Sequence, residues 1–450
     1  MSLTKTSYSM ITGAPVNVLD FGADPTGVGN STAAIQSAVD YAYANNSGEV
    51  YFPAGTYSIT TISLTYTAAR TVNIVGAGQK STIFQKFDNS TTPFFDWSAG
   101  TFGEAYTNFK SFYINGNNYT HRGIQLTLCA RFYFEDITFS KCSVGLYNIG
   151  ALLFEVNNCQ FKDNLTGYQS VMTGTVNKAN AVAFNGGCFQ GCSRWALDLG
   201  GAEGITINSV NMEQCGTATP PPGQIYGVIA IRADIDAVTG YGKVTVNECW
   251  LEQNGGIGFF MDGPQTFGNG TLSVNNTFIY NTSGGNVATI NDGNFYCDNI
   301  TAASAGDTVT ASCNNTSFTN STIHTLIDVS TTKVYQGLGG NFAQIQYEAT
   351  ESFTAKAFVV FNGVPATPTI IRAGNVSSVS KLSTGVYRIT FTFAMKTGNY
   401  AVFGSSNEYA AFNQSISIVG STTTYVDIAV GSGNVNTHFD NTVVSVCVLF

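Results

Sequence analysis

FEDITFSKCSVGLYNIG (134–150), FEVNNCQFKDNLTGYQSV (154–171), ITINSVNMEQCG (205–216), VTVNECWLEQNGGIGFFMDG (244–263) and LSVNNTFIYNTSGG (272–285) decide the fold of this 450-residue chain. Each stretch holds an alternating strand, an Asn or acidic residue at a bend, a second short strand, and then Asn or Gly. With Ile137, Cys159, Val210, Cys249, Thr277 and Ile300 as equivalent points, neighbouring copies lie mostly about 22 to 28 residues apart. The wider gaps predict an unmarked copy near Cys188 and an insertion after Gly216. A period of this length signals a solenoid, in which one unit cannot bury its apolar side alone and stacks on the next. Short strands bending at Asn or Gly fit the coils of a parallel β-helix, because Asn tolerates the left-handed conformation at the bends. Cys159, Cys188 and Cys249 then fall at nearly the same place in successive coils, as an inward stack of small apolar side chains.

Outward from these coils the text changes twice. Upstream, residues 31–44 (STAAIQSAVDYAYA) form the one convincing helix, with Asn30 and Ser31 available as caps. Its stripe is Ala34, Ile35, Ala38, Val39 and Ala42, and Asn46 and Gly48 stop it. A solenoid exposes unpaired strand edges at both ends, and this helix is placed to cover the N-terminal one. Downstream of residue 340, AKAFVVFNGV, TPTIIRAG, GVYRITFTFAM, NYAVFGSS, SISIVGS, TYVDIAV and TVVSVCVLF alternate without the coil period. They predict an antiparallel β-sandwich or jelly roll. The expected organisation is a lead segment 1–15, a coil body 16–340 and a C-terminal sandwich 341–450.

Composition removes several classes. Charged residues are 10% of the chain, whereas an ordinary soluble domain carries about 25%. The formal net charge of −9 argues against a nucleic-acid partner, which calls for surplus Lys and Arg. The terminal run Val443 to Phe450 is far too short to span a bilayer, and no signal peptide is visible at Met1 to Met10. Ten cysteines have no second pair at zinc-ligand spacing beside Cys188 and Cys192, and His121, His324 and His438 stand apart. No metal or cofactor is expected. GAGQKST (76–82) has Gln79 where a P-loop needs Gly before its Lys, so it reads as a structural turn.

The segment NVLDFGADPTGVGNSTAAIQSAVDYA (17–42), followed by GEVYFPAGTYSI (48–59) and IVGAGQKSTI (74–83), closely resembles the start of pectate-lyase-like right-handed parallel β-helices. With the polar lead and the sandwich tail, the chain resembles a bacteriophage tailspike or tail-fibre depolymerase. The resemblance implies an all-β homotrimer in the virion tail, assembled in the host cytoplasm. It would be joined to tail or baseplate proteins through its N-terminus and would bind bacterial capsular or O-antigen polysaccharide. The C-terminal sandwich would trimerise or bind receptor. The polygalacturonase signature is missing: there is no Asn-Thr-Asp, Gly-His-Gly or Arg-Ile-Lys, and Arg388-Ile389-Thr390 lies in the wrong domain.

Hydrolysis of a glycosidic bond needs two carboxyl groups across the sugar. Asp198, Glu203, Glu213, Asp234, Asp236, Glu248, Glu252 and Asp262 crowd into residues 190–265. Glu213 in NMEQCG and Glu252 in WLEQNG hold equivalent coil positions and are the first catalytic candidates. If 217–243 is a loop they sit on neighbouring coils, near the roughly 5 Å of a retaining pair. If YGVIAIRADIDA (226–237) is a whole coil they are two coils apart, near the inverting range of roughly 6.5 to 9.5 Å. Asp234 and Asp236, at alternate positions after Pro220-Pro221-Pro222, are the second catalytic set. Trp195, Trp250, Tyr226 and Tyr241 are candidate sugar-stacking rings, and Arg194, Arg232 and Lys243 candidate contacts to acidic sugars. The blander roles are turn-stabilising or solvated carboxylates, core aromatics and surface cations. A lyase that removes a proton beside a uronate, and a fibre that binds without cleaving, are the competing functions.

Overall fold

The computed structural model describes residues 14–67, 70–171, 179–232, 242–262, 270–280, 286–291, 293–302, 307–313, 315–323, 325–328, 330, 332–336, 355–395, 398, 400–406, 414–432 and 438–449. The chain divides into two compact units, residues 1–345 and 346–450.

The first unit is a right-handed parallel β-helix with 31 strands among the described residues. Most coils contribute one strand to each of three faces. The first face stacks Leu152–Asn157, Ala179–Asn185, Ala202–Asn208, Lys243–Asn247 and Thr271–Asn275. Three-residue strands make the second: Gln160–Lys162, Cys188–Gln190, Asn211–Glu213, Trp250–Glu252 and Phe278–Tyr280. Thr166–Val171, Trp195–Gly200, Gly227–Arg232, Ile257–Asp262 and Asn286–Ile290 make the third.

The register reproduces the repeat read from the sequence. Thr138, Gln160, Cys188, Asn211, Trp250, Phe278 and Thr301 align across coils, so Ile137, Cys159, Gly187, Val210, Cys249, Thr277 and Ile300 align one step earlier. Cys188 therefore corrects the expected cysteine stack: it matches Gln160, and it is only half-buried. Gly187 takes the inward place instead, at φ 78°, where an added Cβ would sit 2.0 Å from the Cys159 carbonyl oxygen. YGVIAIR is the third strand of its own coil, because Gly227–Arg232 pairs with Trp195–Gly200 on one side and Ile257–Asp262 on the other.

Polar bends and an apolar interior both repeat along the stack. Asn158, Ser209, Glu248 and Asn276 turn the chain in the left-handed region, with φ of 50°, 52°, 53° and 47°. Beside them runs an amide ladder in which Asn185, Asn208, Asn247 and Asn275 each donate Nδ2 to the Oδ1 of the preceding Asn, at 2.8 to 2.9 Å. Each half-buried amide thus gains partners in the coils beside it. Inside the second face Phe139, Phe161 and Phe189 stack with centroids 4.8 and 4.4 Å apart. Cys159 and Cys249 are buried, and all ten cysteines are free thiols.

The helix spans Thr32–Asn45 and buries Ile35, Ala38, Val39 and Ala42 of the expected stripe, with Ala34 only partly buried. Asn30 Oδ1 accepts from Thr32 N at 3.0 Å, and Asn46 ends the helix at φ 51°. In the 76–82 turn, Thr82 Oγ1 donates to the Phe52 carbonyl at 2.9 Å and accepts from Ala77 N at 2.9 Å. Those bonds give this turn a structural role.

The second unit is an antiparallel sandwich. One sheet orders Thr369–Gly374, Ala355–Asn362, Val444–Leu449 and Ala401–Ser406; the other orders Val376–Ser383, Val386–Phe391, Tyr425–Ser432 and Gln414–Ser421. Val359, Phe361 and Val446 from the first pack with Tyr387, Ile389, Val426 and Ile428 from the second. Seven of its strands follow the sequence reading. The eighth, Val376–Ser383, was not expected, because only Val379 of VSSVSKLS is buried and its apolar alternation is faint. Among the described residues no helix is long and apolar enough to cross a membrane.

Candidate functional site

Strand alternation on the second face sends Met212 and Leu251 inward and their flanking residues outward. Glu213 and Glu252 are thereby direct register partners on neighbouring strands. Adjacent strands lie about 4.8 Å apart, so the two carboxyl-bearing positions are at one-coil spacing, and the two-coil alternative is removed. Glu213 accepts from Gln190 Nε2 at 3.4 Å, and Glu252 from Trp250 Nε1 at 2.8 Å. Trp250 is 47% exposed and stacks on Phe278 with centroids 4.3 Å apart; Phe278 in turn lies 6.4 Å from Tyr280, the planes 15° apart. An outward carboxylate pair thus borders a row of stacked rings. Phe278 and Tyr280 are additions that the sequence reading passed over, although FIY aligns with WLE in the repeat.

The third face carries a cleft of about 440 Å³ that brings together four other sequence candidates, Arg194, Trp195, Tyr226 and Arg232. Arg194 lies over the Tyr226 ring at 5.9 Å, and Arg232 over Trp195 at 5.2 Å. Trp195 is only 2% exposed and packs with Ala230 and Phe260, so it forms a wall of the cleft rather than an open platform. Asp198 also lines this cleft, a residue noted in the acidic block but not singled out for the site. Its Oδ1 is 2.9 Å from Arg232 Nε, and Gln169 Nε2 donates to its Oδ2 at 3.1 Å. Burial pushes the Asp198 carboxyl up from its ordinary value, outweighing the pull of Arg232 and Gln169.

Asp198 ends a row of register partners running Asp96, Gln125, Tyr147, Gln169 and Asp198 across five coils. Gln125 Nε2 donates to Asp96 at 3.2 Å, and Arg122 Nη1 donates to Gln125 Oε1 at 2.7 Å while its guanidinium lies 3.9 Å from the Tyr147 centroid. Burial also raises the Asp96 carboxyl. At about 4.8 Å per step, Asp96 and Asp198 are roughly 19 Å apart, too far to act on one bond.

The remaining candidates lie elsewhere. Lys243 is exposed at the start of a first-face strand. Asp234, Asp236 and Tyr241 lie outside the described residues. Among the described residues no group of three or more His, Cys, Asp or Glu side chains could hold a metal ion.

Residues 15–219 match the family described as rhamnogalacturonase A/epimerase, pectate lyase-like. Mannuronan C5-epimerase AlgE1 of Azotobacter vinelandii is 39% identical over 97 residues, which are 21% of this chain and 7% of that one. The chain therefore spans less than a tenth of that relative. The gp42 tailspike of Acinetobacter phage vb_AbaP_AS12 superposes with a TM-score of 0.50 at 11% identity, over 94% of this chain and 83% of that one. The catalytic unit of a GH87 α-1,3-glucanase from Streptomyces thermodiastaticus also gives 0.50, at 16% identity, over 77% and 72%. At such identities the likeness is one of fold, and chemistry has to be argued from the site.

Proposed function

We propose that this chain, a pectate-lyase-like β-helix resembling phage tailspikes, binds bacterial surface polysaccharide and depolymerises it by glycosidic hydrolysis. The observation that carries the reading is the in-register Glu213–Glu252 pair beside Trp250, Phe278 and Tyr280. One-coil spacing suits a retaining mechanism, whose carboxyl groups stand about 5 to 5.5 Å apart. The protonated member gives its proton to the glycosidic oxygen, and the ionised one attacks the anomeric carbon. Water then releases the sugar, with the first residue acting as base. Trp250 and Tyr280, both exposed, offer apolar ring surface for sugars to pack on. Asp234 and Asp236, two and four positions beyond Arg232 in the sequence, are the second carboxyl set.

The fold likeness to a phage tailspike supports placement in a virion tail; the same reading makes the chain a homotrimer with its N-terminus toward the tail. Incubating the purified chain with host capsule or O-antigen tests the reading. New reducing ends without absorbance near about 235 nm mean hydrolysis; unsaturated products absorbing there mean a lyase; binding without shortening means an adhesin. Glu213→Gln and Glu252→Gln should each slow cleavage by at least about 100-fold. If both cleave at the parent rate, the pair is not catalytic, and Asp234→Asn and Asp236→Asn decide the second set.

A further inference from the structure

The third-face cleft gathers three arginines against one aspartate, in a chain with only 19 Lys and Arg and a net charge of −9. Asp198 and Arg232 neutralise each other at 2.9 Å. That leaves Arg122 and Arg194 as surplus positive charge. Among the described residues Arg194 has no carboxylate partner; its guanidinium stands exposed over the Tyr226 ring. Arg122 spends one of its five donors on neutral Gln125 and rests on Tyr147. The acid facing Arg122 from the next strand is Asp96, which accepts from Gln125 Nε2 at 3.2 Å and lies outside the cleft lining. Gathered cations repel one another, so the cleft is poised for an anion that the chain itself does not supply.

Spacing along the stack adds a second constraint. Arg122 pairs with Val144, Val144 with Thr166 and Thr166 with Trp195, the neighbour of Arg194. Three strand steps put the two backbones roughly 14 Å apart, and both guanidinium groups lean the same way along the stack, Arg122 onto Tyr147 and Arg194 onto Tyr226, so they do not converge on one carboxylate. We infer that this cleft binds a polysaccharide bearing carboxylate sugars, lying along the stacking direction, with Arg122 and Arg194 each meeting a carboxylate on a different residue of the chain. The planar guanidinium fork matches a carboxylate with two parallel hydrogen bonds. Gln169 presents a neutral amide between the two contacts, and Asp198 acts as a positioning residue that holds Arg232 against Trp195. The inference rests on the polysaccharide-binding reading above and gives it a substrate class.

The test uses the full chain on arrayed bacterial capsular and O-antigen polysaccharides, each in native and carboxyl-reduced form. Binding should be confined to carboxylated members and fall at least about 10-fold on reduction, with affinity declining as salt rises. Arg194→Gln, at an exposed position, should weaken binding about 10-fold and flatten the salt dependence while leaving the unfolding midpoint unchanged. Arg194→Lys should restore part of both. Equal binding of native and carboxyl-reduced glycans, or no effect of Arg194→Gln together with Arg122→Gln, overturns the inference while polysaccharide binding stands. Binding to no arrayed polysaccharide overturns both.

Discussion

Asp198 is the carboxyl whose surroundings say most about pH. Burial raises it above the ordinary 3.8 of an aspartate, and Arg232 and Gln169 only partly offset this. For a raised folded-state value, the stabilising share is complete below the unfolded value and is lost as pH rises through the folded one. Asp198→Asn removes that titration. Relative to the variant, the parent chain should therefore be more stable at about pH 3.5 than at about pH 7. Urea midpoints of both chains at the two pH values check the sign, and a flat or reversed difference would remove the argument. Trp250 gives the complementary case of a half-exposed ring, packed on one side and open on the other. Trp250→Ala removes the stack on Phe278 and the bond to Glu252, so it should cost about 0.5–1.5 kcal/mol and weaken glycan binding about 10-fold. Calorimetry on the same two proteins separates the effects. Neither role can be read from the residue alone: Trp195 and Trp250 look alike in the sequence, but the first lies under Arg232 and beside Phe260 and the second lies open.

At the scale of the element, each coil is held by contacts that recur with the repeat. Asn208 takes a bond from Asn247 and gives one to Asn185, so Asn208→Ala strands two amides and should cost about 1–3 kcal/mol. Phe161 lies between Phe139 and Phe189, and Phe161→Ala should cost about 3–5 kcal/mol through the cavity it leaves. Lys243→Ala, on an exposed strand start, should stay within about 0.5 kcal/mol. Denaturant unfolding of the three variants tests the ranking; a Phe161 variant as stable as the Lys243 variant would refute the stacked-core account. These elements are largely legible in the sequence, because a strand that must match the coils above and below repeats its apolar and Asn positions. Cys188 misleads by one residue because the inward bend there belongs to Gly187, a residue without a side chain to advertise it. Val376–Ser383 is hidden for the opposite reason: a strand with one buried side chain carries almost no alternation.

For the whole molecule the open matter is association. The second unit leaves Phe358 44% and Phe403 58% exposed, and both are register partners of half-buried Cys447 on the middle strand of their sheet. Light scattering after size exclusion should give three times the 47.7 kDa chain mass, and Phe358→Ser with Phe403→Ser should lower it if this face contributes. An unchanged trimer places the contact elsewhere, and a monomeric parent chain sinks the trimer. By itself the sequence determined the coil body, its register outside the Cys188 copy, the helix stripe and seven of the eight described strands of the sandwich tail. Those follow from local periodicity: each residue's place in a repeating coil is set by its own spacing. Which outward residues meet was decided only by the tertiary structure. Glu213 and Glu252 become neighbours because 227–232 closes its own coil rather than adding another. The cleft draws Arg122, Gln169, Asp198 and Arg232 from four different coils. Desolvation, ion pairing and cleft walls are sums over residues far apart in the chain, and no local pattern encodes them.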